Sequence, residues 1–369
     1  MQIADKIGAS VSRRTVLKTV GGAVGSTAIV GTAMSHDGRK RTIVVAERDD
    51  EPLVTKQVPT DWYEHVQRSW DASDELLQQF GDEPWFDRIS RSSREGNYRI
   101  GDHRKKKLKI KTKDAAAARL QVPESHRGLP VEVVEIDNLP ERQGCSDWSA
   151  CNDNTYSCVK GGAYLSLEQP DGSYCSQSAG VVVEYGGGTG LITCYHGFSP
   201  YDCSVDIEGL EGLQGNDDLR IGEVDAYDST QDWAILTEKN AEIDGLDDEI
   251  IQKSNPVNGH VTKSGLEDME SRDDNKPIKH YGASTCSNHG YDIELSTTHN
   301  CDSDKEVDSV ELNDSSSNTG DSGSPMYVHY DEFDVIGIAG ILHRGGPIGV
   351  AAHAINNKHG IEFGGVSTC

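Results

Sequence analysis

Three short stretches of the chain hold side chains suited to acid–base-assisted nucleophilic chemistry. Ser322 stands in Gly320-Asp321-Ser322-Gly323-Ser324-Pro325, just ahead of the apolar run Met326–Tyr330. His196 ends the run Thr189-Gly190-Leu191-Ile192-Thr193-Cys194-Tyr195-His196, and Asp232 opens Asp232-Trp233-Ala234-Ile235-Leu236. A serine hydroxyl is a poor nucleophile until a neighbouring base takes its proton. Imidazole suits that task because its pKa lies near ~6.5. A buried carboxylate then fixes the histidine tautomer and stabilises the imidazolium as it forms. Gly320 lets its own amide and that of Ser322 converge on one oxygen, and one such donor is worth ~3–4 kcal/mol in the transition state. Gly323 leaves room for a carbonyl to approach. Each motif is weak alone; the order His, Asp, Ser, with gaps of 36 and 90 residues, makes them a set.

These residues need a rigid frame, and the texture of the chain from about residue 158 onward supplies one. Short runs rich in Val, Ile, Tyr and Leu alternate with Gly, Asp, Asn and Ser clusters. Residues 163–167, 180–185, 189–193, 234–237, 278–282, 291–295, 325–330 and 335–342 read as strands. Val350–Lys358 reads as a short helix closing at Gly360. The spacing is that of an all-β barrel or sandwich. Upstream, Trp62, Tyr63, Val66, Trp70, Leu76, Leu77 and Phe80 fall at three- and four-residue intervals and predict an amphipathic helix within 61–86.

The chain of 369 residues has a formal charge of −26, and the charge is unevenly placed. Residues 1–150 hold 23 acids and 24 bases, whereas residues 151–369 hold 38 acids and 11 bases. A domain boundary near 150 follows, and the acidity disfavours nucleic acid as a partner. An acid-rich, lysine-poor surface suits a protein of brine, where charges are screened within ~3 Å at 1 M salt. Residues 1–35 read as an export signal: Arg13-Arg14 in Ser12–Lys18 is followed by a Gly/Ala-rich run too short to span a membrane. Arg104–Lys111 is the chain's basic run. It reads as a solvated face or, within a pro-region spanning 36–150, as a segment that docks on the acidic part.

Residues from about 160 to the end resemble a chymotrypsin-like serine protease, nearest the secreted bacterial branch that includes alpha-lytic protease and the streptogrisins. The likeness rests on Gly161-Gly162 followed by Cys175, on Gly188–His196, on Lys279–Thr285 and on the Gly-Asp-Ser-Gly loop. The resemblance implies two six-stranded antiparallel β-barrels and a C-terminal helix over 151–369, preceded by a mixed N-terminal region. It implies His196 as general base, Asp232 as its orienting partner and Ser322 as nucleophile, with Gly320 and Ser322 giving the oxyanion-hole amides. It places the base of the specificity pocket near Ser316, where no carboxylate stands to favour Lys or Arg. Gly340 falls where a serine touching the aspartate is usual, and a cation is expected to pair with Asp321. The twin-arginine pattern and the acidity together suggest an exported protein of a halophilic archaeon.

Nine cysteines (145, 151, 158, 175, 194, 203, 286, 301 and 369) read as disulfides in an exported protein. Cys286–Cys301 is one candidate clip; Cys175 has Cys194 or Cys203 as candidate partners, and Cys369 is the easiest to leave free. No Cys-x-x-Cys or His-x-x-x-His pair suggests zinc, and Asp302, Asp304, Glu306 and Asp308 lack the calcium-loop glycine and closing glutamate. No metal or cofactor is therefore expected. The function expected is a secreted serine endopeptidase acting on proteins or peptides; the alternative is a protease-fold binding or adhesion protein.

Overall fold

Apolar runs with both faces covered set the first sheet. Gly188–Thr193 pairs antiparallel with Trp233–Thr237, Leu191 opposite Leu236 and Ile192 opposite Ile235, all four buried. Around them the order is Tyr174–Ser178, Tyr164–Glu168, Glu211–Gln214, Leu219–Asp228, Trp233–Thr237, Gly188–Thr193, Val182–Tyr185 and Glu362–Phe363. All seven pairings are antiparallel. In this computed structural model the described residues are 38–93, 98–136, 150–199, 202–215, 218–273, 276–300, 302–344 and 347–369. The signal-like segment, Cys145 and Cys301 lie outside them.

The second sheet has fourteen strands, among them Val257–Val261, Ile278–Gly282, Ile293–Asn300, Asp302–Leu312, Pro325–Tyr330 and Val335–Arg344. Strands of the N-terminal region extend it at both ends. Lys40–Arg48 joins Val257–Val261, with Ala46 opposite Val261, and Phe86–Ser93 joins Ile293–Asn300, with Ile89 opposite Thr297. The expected all-β class and C-terminal helix are found, in sheets of eight and fourteen strands. Two contacts depart from antiparallel order in the larger sheet: Val257–Val261 runs parallel to Val335–Arg344, and Lys106–Thr112 runs parallel to Leu129–Glu135.

The helix of the N-terminal region is Thr60–Phe80. Of the residues whose spacing predicted it, it buries Trp62, Tyr63, Val66, Leu76, Leu77 and Phe80, and Trp70 is half-buried. Leu76, Leu77 and Phe80 share a core with Ile89, Leu108 and Ile110 of the strands beneath. The basic run forms the strand Lys106–Thr112, and Lys106 is fully buried rather than solvated. Its ammonium lies 2.5 Å from Glu267 and also meets Glu270. Both acids stand on the helix Lys263–Ser271, begun by the Thr262 hydroxyl, which accepts from the Gly265 amide at 3.0 Å. Arg91 reaches Glu267 at 3.1 Å, Lys111 reaches Glu311 at 2.9 Å and Glu294 at 3.3 Å, and Lys56 reaches Asp268 at 2.6 Å. An ionic seam thus joins residues 38–136 to the acidic part.

Cysteine pairing departs from expectation. Cys286 bonds Cys151 rather than Cys301, and Cys369 bonds Cys158 rather than remaining free. Cys175 and Cys203 are both disulfide-bonded, and Cys194 is the free cysteine among the described residues.

Candidate functional site

The strand Gly188–Thr193 ends in a single 3-10 turn, Tyr195–Gly197, that carries His196. The Tyr195 hydroxyl pins this turn by donating to the Val205 carbonyl at 2.7 Å. Asp232 sits at the bend before Trp233–Thr237 with φ 53, a left-handed conformation that Asp tolerates better than most residues. Its approach is held by Asp228, whose Oδ1 accepts from the Thr230 and Gln231 amides at 2.7 and 3.0 Å. The C-terminal helix Ala352–His359 fastens the same aspartate, through Lys358 at 2.7 Å and His359 at 3.0 Å from Oδ2. That helix closes as expected on Gly360, left-handed at φ 65.

These two elements bring His196 and Asp232 together. Asp232 Oδ1 accepts from the His196 backbone amide at 2.8 Å, and Oδ2 lies 2.7 Å from His196 Nδ1. Both residues are essentially buried. In the neutral ring the pairing makes Nδ1 the donor nitrogen and leaves Nε2 as the lone-pair nitrogen. Nε2 is buried and has no hydrogen-bond partner, so Ser322 Oγ is not bonded to it in this state. Burial works against a charged imidazole, yet the Asp232 carboxylate and the neighbouring free sulfur of Cys194 outweigh it and hold the His196 pKa above its ordinary value.

Ser322 lies on a loop locked against the first sheet by Ser178. The Ser178 amide donates to Ser322 O at 2.9 Å, and its hydroxyl donates to Gly320 O at 2.6 Å. Gly323 has φ 87, and a Cβ there would come within 2.3 Å of both Ser178 O and Thr193 Oγ1 and within 3.2 Å of the Cys194 nitrogen. No side chain fits, and the same contacts show the serine loop lying against the strand that ends at His196. Within the loop, the Asp321 amide donates to Asn318 O at 3.0 Å and the Gly323 amide to Leu342 O at 2.7 Å.

Asp321 is buried and meets neutral donors where a cation was expected. Its carboxylate accepts from the amides of Asn318 at 2.8 Å, Ser284 at 3.1 Å and Thr285 at 2.9 Å, and from the Thr285 hydroxyl. Three amides and a hydroxyl can carry a buried carboxylate without an ion pair. Ser316 accepts at its carbonyl from Asn288 Nδ2 at 2.9 Å and lies 3.1 Å from His280 Nε2; its hydroxyl accepts from Asn288 Nδ2 at 3.0 Å. His280 is fully buried, and burial lowers its pKa. Gly340 is placed in the strand Val335–Arg344 opposite Met326 and Ala351, where a Cβ would meet Val350 O at 2.6 Å. The residue of that strand which reaches Asp232 is His343, Nδ1 to Oδ2 3.4 Å. The signal for His343 in the sequence is a histidine that ends an apolar strand run. The Ser284 and Thr285 amides left no such signal, since any residue type supplies an amide.

No protein-family model matches the chain, and no curated protein does. Among solved structures it aligns with protease A of Thermobifida fusca at 15% identity and a TM-score of 0.35, over 56% of this chain and 100% of that one. It also aligns with a glutamic acid-specific serine protease described as using a novel histidine triad in substrate binding. There the identity is 17% and the TM-score 0.31, again over 56% of this chain and 100% of the other.

Proposed function

We propose that residues 151–369 form a chymotrypsin-like serine endopeptidase, exported through the twin-arginine route and working in high salt. The observation that carries this reading is the double grip of Asp232 on His196, which leaves Nε2 without a hydrogen-bond partner, while the glycine-bounded loop of Ser322 packs against Thr193 and Cys194 just ahead of that histidine. In this reading Ser322 Oγ attacks a peptide carbonyl carbon while His196 Nε2 takes its proton. The resulting oxyanion is met by the Gly320 and Ser322 amides, the two in Gly320–Gly323 that no backbone acceptor among the described residues occupies. Collapse of the tetrahedral intermediate breaks the C–N bond, and the imidazolium returns its proton to the leaving amine. Water, deprotonated by the same Nε2, then releases the acid and restores Ser322. Ser316 supplies a hydroxyl rather than a carboxylate to the pocket, so cleavage after Lys or Arg is disfavoured. Disulfides such as Cys151–Cys286 suit an oxidising compartment. No helix among the described residues is long and apolar enough to cross a membrane.

Residues 36–150 are read as a pro-region that stays docked through its ionic seam. N-terminal sequencing of secreted material is expected to start near residue 150–160, with the 38–136 fragment co-eluting at low salt. A start near residue 35 refutes the pro-region. The catalytic reading is tested with a fluorophosphonate probe in high-salt buffer. Labelling of wild type and not of Ser322→Ala is expected; absence of labelling of the correctly salted, mature protein leaves the binding-protein alternative.

A further inference from the structure

The N-terminal region carries a cleft of about 470 Å³. The helix Thr60–Phe80 gives it Tyr63, Glu64, Gln67, Arg68 and Asp71, at spacings that share one helix face. Arg41 enters from the strand Lys40–Arg48, and Arg127 from the turn between Ser125–His126 and Leu129–Glu135. Arg127 is already satisfied: its Nε donates to Glu75 at 2.8 Å and its Nη1 to Asp71 at 3.1 Å. The other two guanidiniums are not. Arg41 stacks over the Tyr63 ring at 4.1 Å, and among the described residues neither the Arg41 nor the Arg68 guanidinium meets a carboxylate or another acceptor. Acids outnumber bases 61 to 35 in this chain, so the missing counter-charge belongs to the place and not to a shortage of acids.

We propose that this cleft is a binding site for a carboxylate-bearing ligand, taken by the guanidiniums of Arg41 and Arg68. A planar guanidinium fork matches the two oxygens of a carboxylate. With Arg127 and Asp71 paired off, the two guanidiniums face one remaining acid, Glu64. That small positive excess suits a carboxylate better than a dianionic phosphate. Two further polar atoms of the lining, Tyr63 Oη and Gln67 Nε2, are buried without a hydrogen-bond partner, so the fold leaves their capacity unused. A carboxylate that draws Arg41 off the Tyr63 ring opens the hydroxyl to an acceptor oxygen. The volume is that of a small-molecule site, which admits a free organic acid or the acidic side chains of a short peptide stretch. Both present the same chemistry. The site stands on the N-terminal region and does not depend on the catalytic reading above.

The test is calorimetric titration of the full chain carrying Ser322→Ala, which keeps a peptide probe whole, at fixed high chloride. The probes are succinate, an acetylated and amidated tri-glutamate peptide, and sulfate. Succinate or the peptide is expected to bind one-to-one and about tenfold or more tighter than sulfate. Arg41→Gln and Arg68→Gln should each weaken that binding about 10- to 100-fold, and Arg68→Lys, which keeps the charge without the fork, about three- to tenfold. Arg68 is exposed, so its variants leave the core intact. Lys107→Gln, which changes a base of the same region paired with Glu132 away from the cleft, should leave affinity unchanged. Tighter binding of succinate assigns the site to a free acid, and tighter binding of the peptide assigns it to an acidic peptide; either upholds the proposal. Binding by neither carboxylate, sulfate binding as tightly as both, or an equal loss in Lys107→Gln overturns it.

Discussion

Two regions of the molecule bury carboxylates beside basic groups, and they do so to opposite ends. In the ionic seam three of the acids each meet two cations. Glu267 has Arg91 and Lys106, Glu294 has Lys109 and Lys111, and Glu311 has Arg88 and Lys111. In the His196–Asp232 pair the carboxylate is held, but the ring keeps one buried nitrogen with nothing bonded to it. A seam that saturates its charges gains rigidity and register. A site that leaves one strong acceptor bare has a place for a proton to go. The difference teaches that depth of burial alone does not set what a carboxylate does; the partners it is given do.

The comparison is broken most severely at the serine loop. Ser322→Ala is expected to reduce peptide hydrolysis by roughly 10⁴- to 10⁶-fold while thermal melting stays at the wild-type midpoint. A comparable loss of structure in that variant would mean that the loop is scaffold rather than site.

Next in size is the seam. Lys106→Met leaves Glu267 and Glu270 without their shared ammonium, and one broken buried pair costs about 3–5 kcal/mol. Chemical denaturation of the full chain measures this. Adding Glu270→Gln to the Lys106→Met chain should recover part of the loss, because Lys106 is the cation that meets the Glu270 carboxylate and the second change removes an uncompensated charge. No recovery would mean that packing, not charge, dominates the seam.

A pH titration separates the two regions by sign. Lys106 and Arg91 hold the Glu267 carboxyl down at about 2 against the burial that opposes them, and Lys111 and Lys109 do the same for Glu294. Unfolded glutamate titrates near ~4.3, so the seam's contribution is complete above that pH and is lost as pH falls through about 2. Tryptophan fluorescence reports it, since Trp70 Nε1 donates to Glu267 at 2.7 Å. At the His196–Asp232 pair the shift is upward, and in the proposed mechanism the base must be neutral to act. Hydrolysis is therefore expected to fall as pH drops through a value above ~6.5. Cys194→Ala should move that limb toward lower pH, because the sulfur is one of the groups raising it. An acid limb below pH 6 in wild type would mean that Asp232 and Cys194 do not raise the His196 pKa.

The smallest effect belongs to the rim of the N-terminal region. Lys107 pairs with the exposed Glu132 at 2.8 Å, and Lys107→Ala should change stability by no more than about 1 kcal/mol. A larger loss would extend the seam's character to its surface.

Much of the frame was legible. The helix over Thr60–Phe80, the strand Pro325–Tyr330 and the closing helix with its Gly360 cap follow from local periodicity and turn chemistry. The strand Asp302–Leu312 was hidden because its acids mask the alternation, and the helix Lys263–Ser271 because its acids are buried rather than exposed. The same burial qualifies the reading of the acid excess as a brine-facing surface. Glu267, Asp268, Glu270, Glu294 and Glu311 are turned inward or to the seam. Asp308, set aside as part of a solvated face, pairs with Lys263 at 3.1 Å.

By itself the sequence determined the kinds of chemistry on offer: one serine between glycines, one histidine at a strand end, one aspartate at a strand head, and turns frequent enough to demand an all-β frame. These are local properties, each written within a few residues. The tertiary structure decided which groups meet. It set Ala46 against Val261, Lys106 against Glu267 and His343 against Asp232, pairs separated by more than a hundred residues. Strand register and burial choose such partners, and a carboxylate's charge, tautomer and reach depend on the partner it is given.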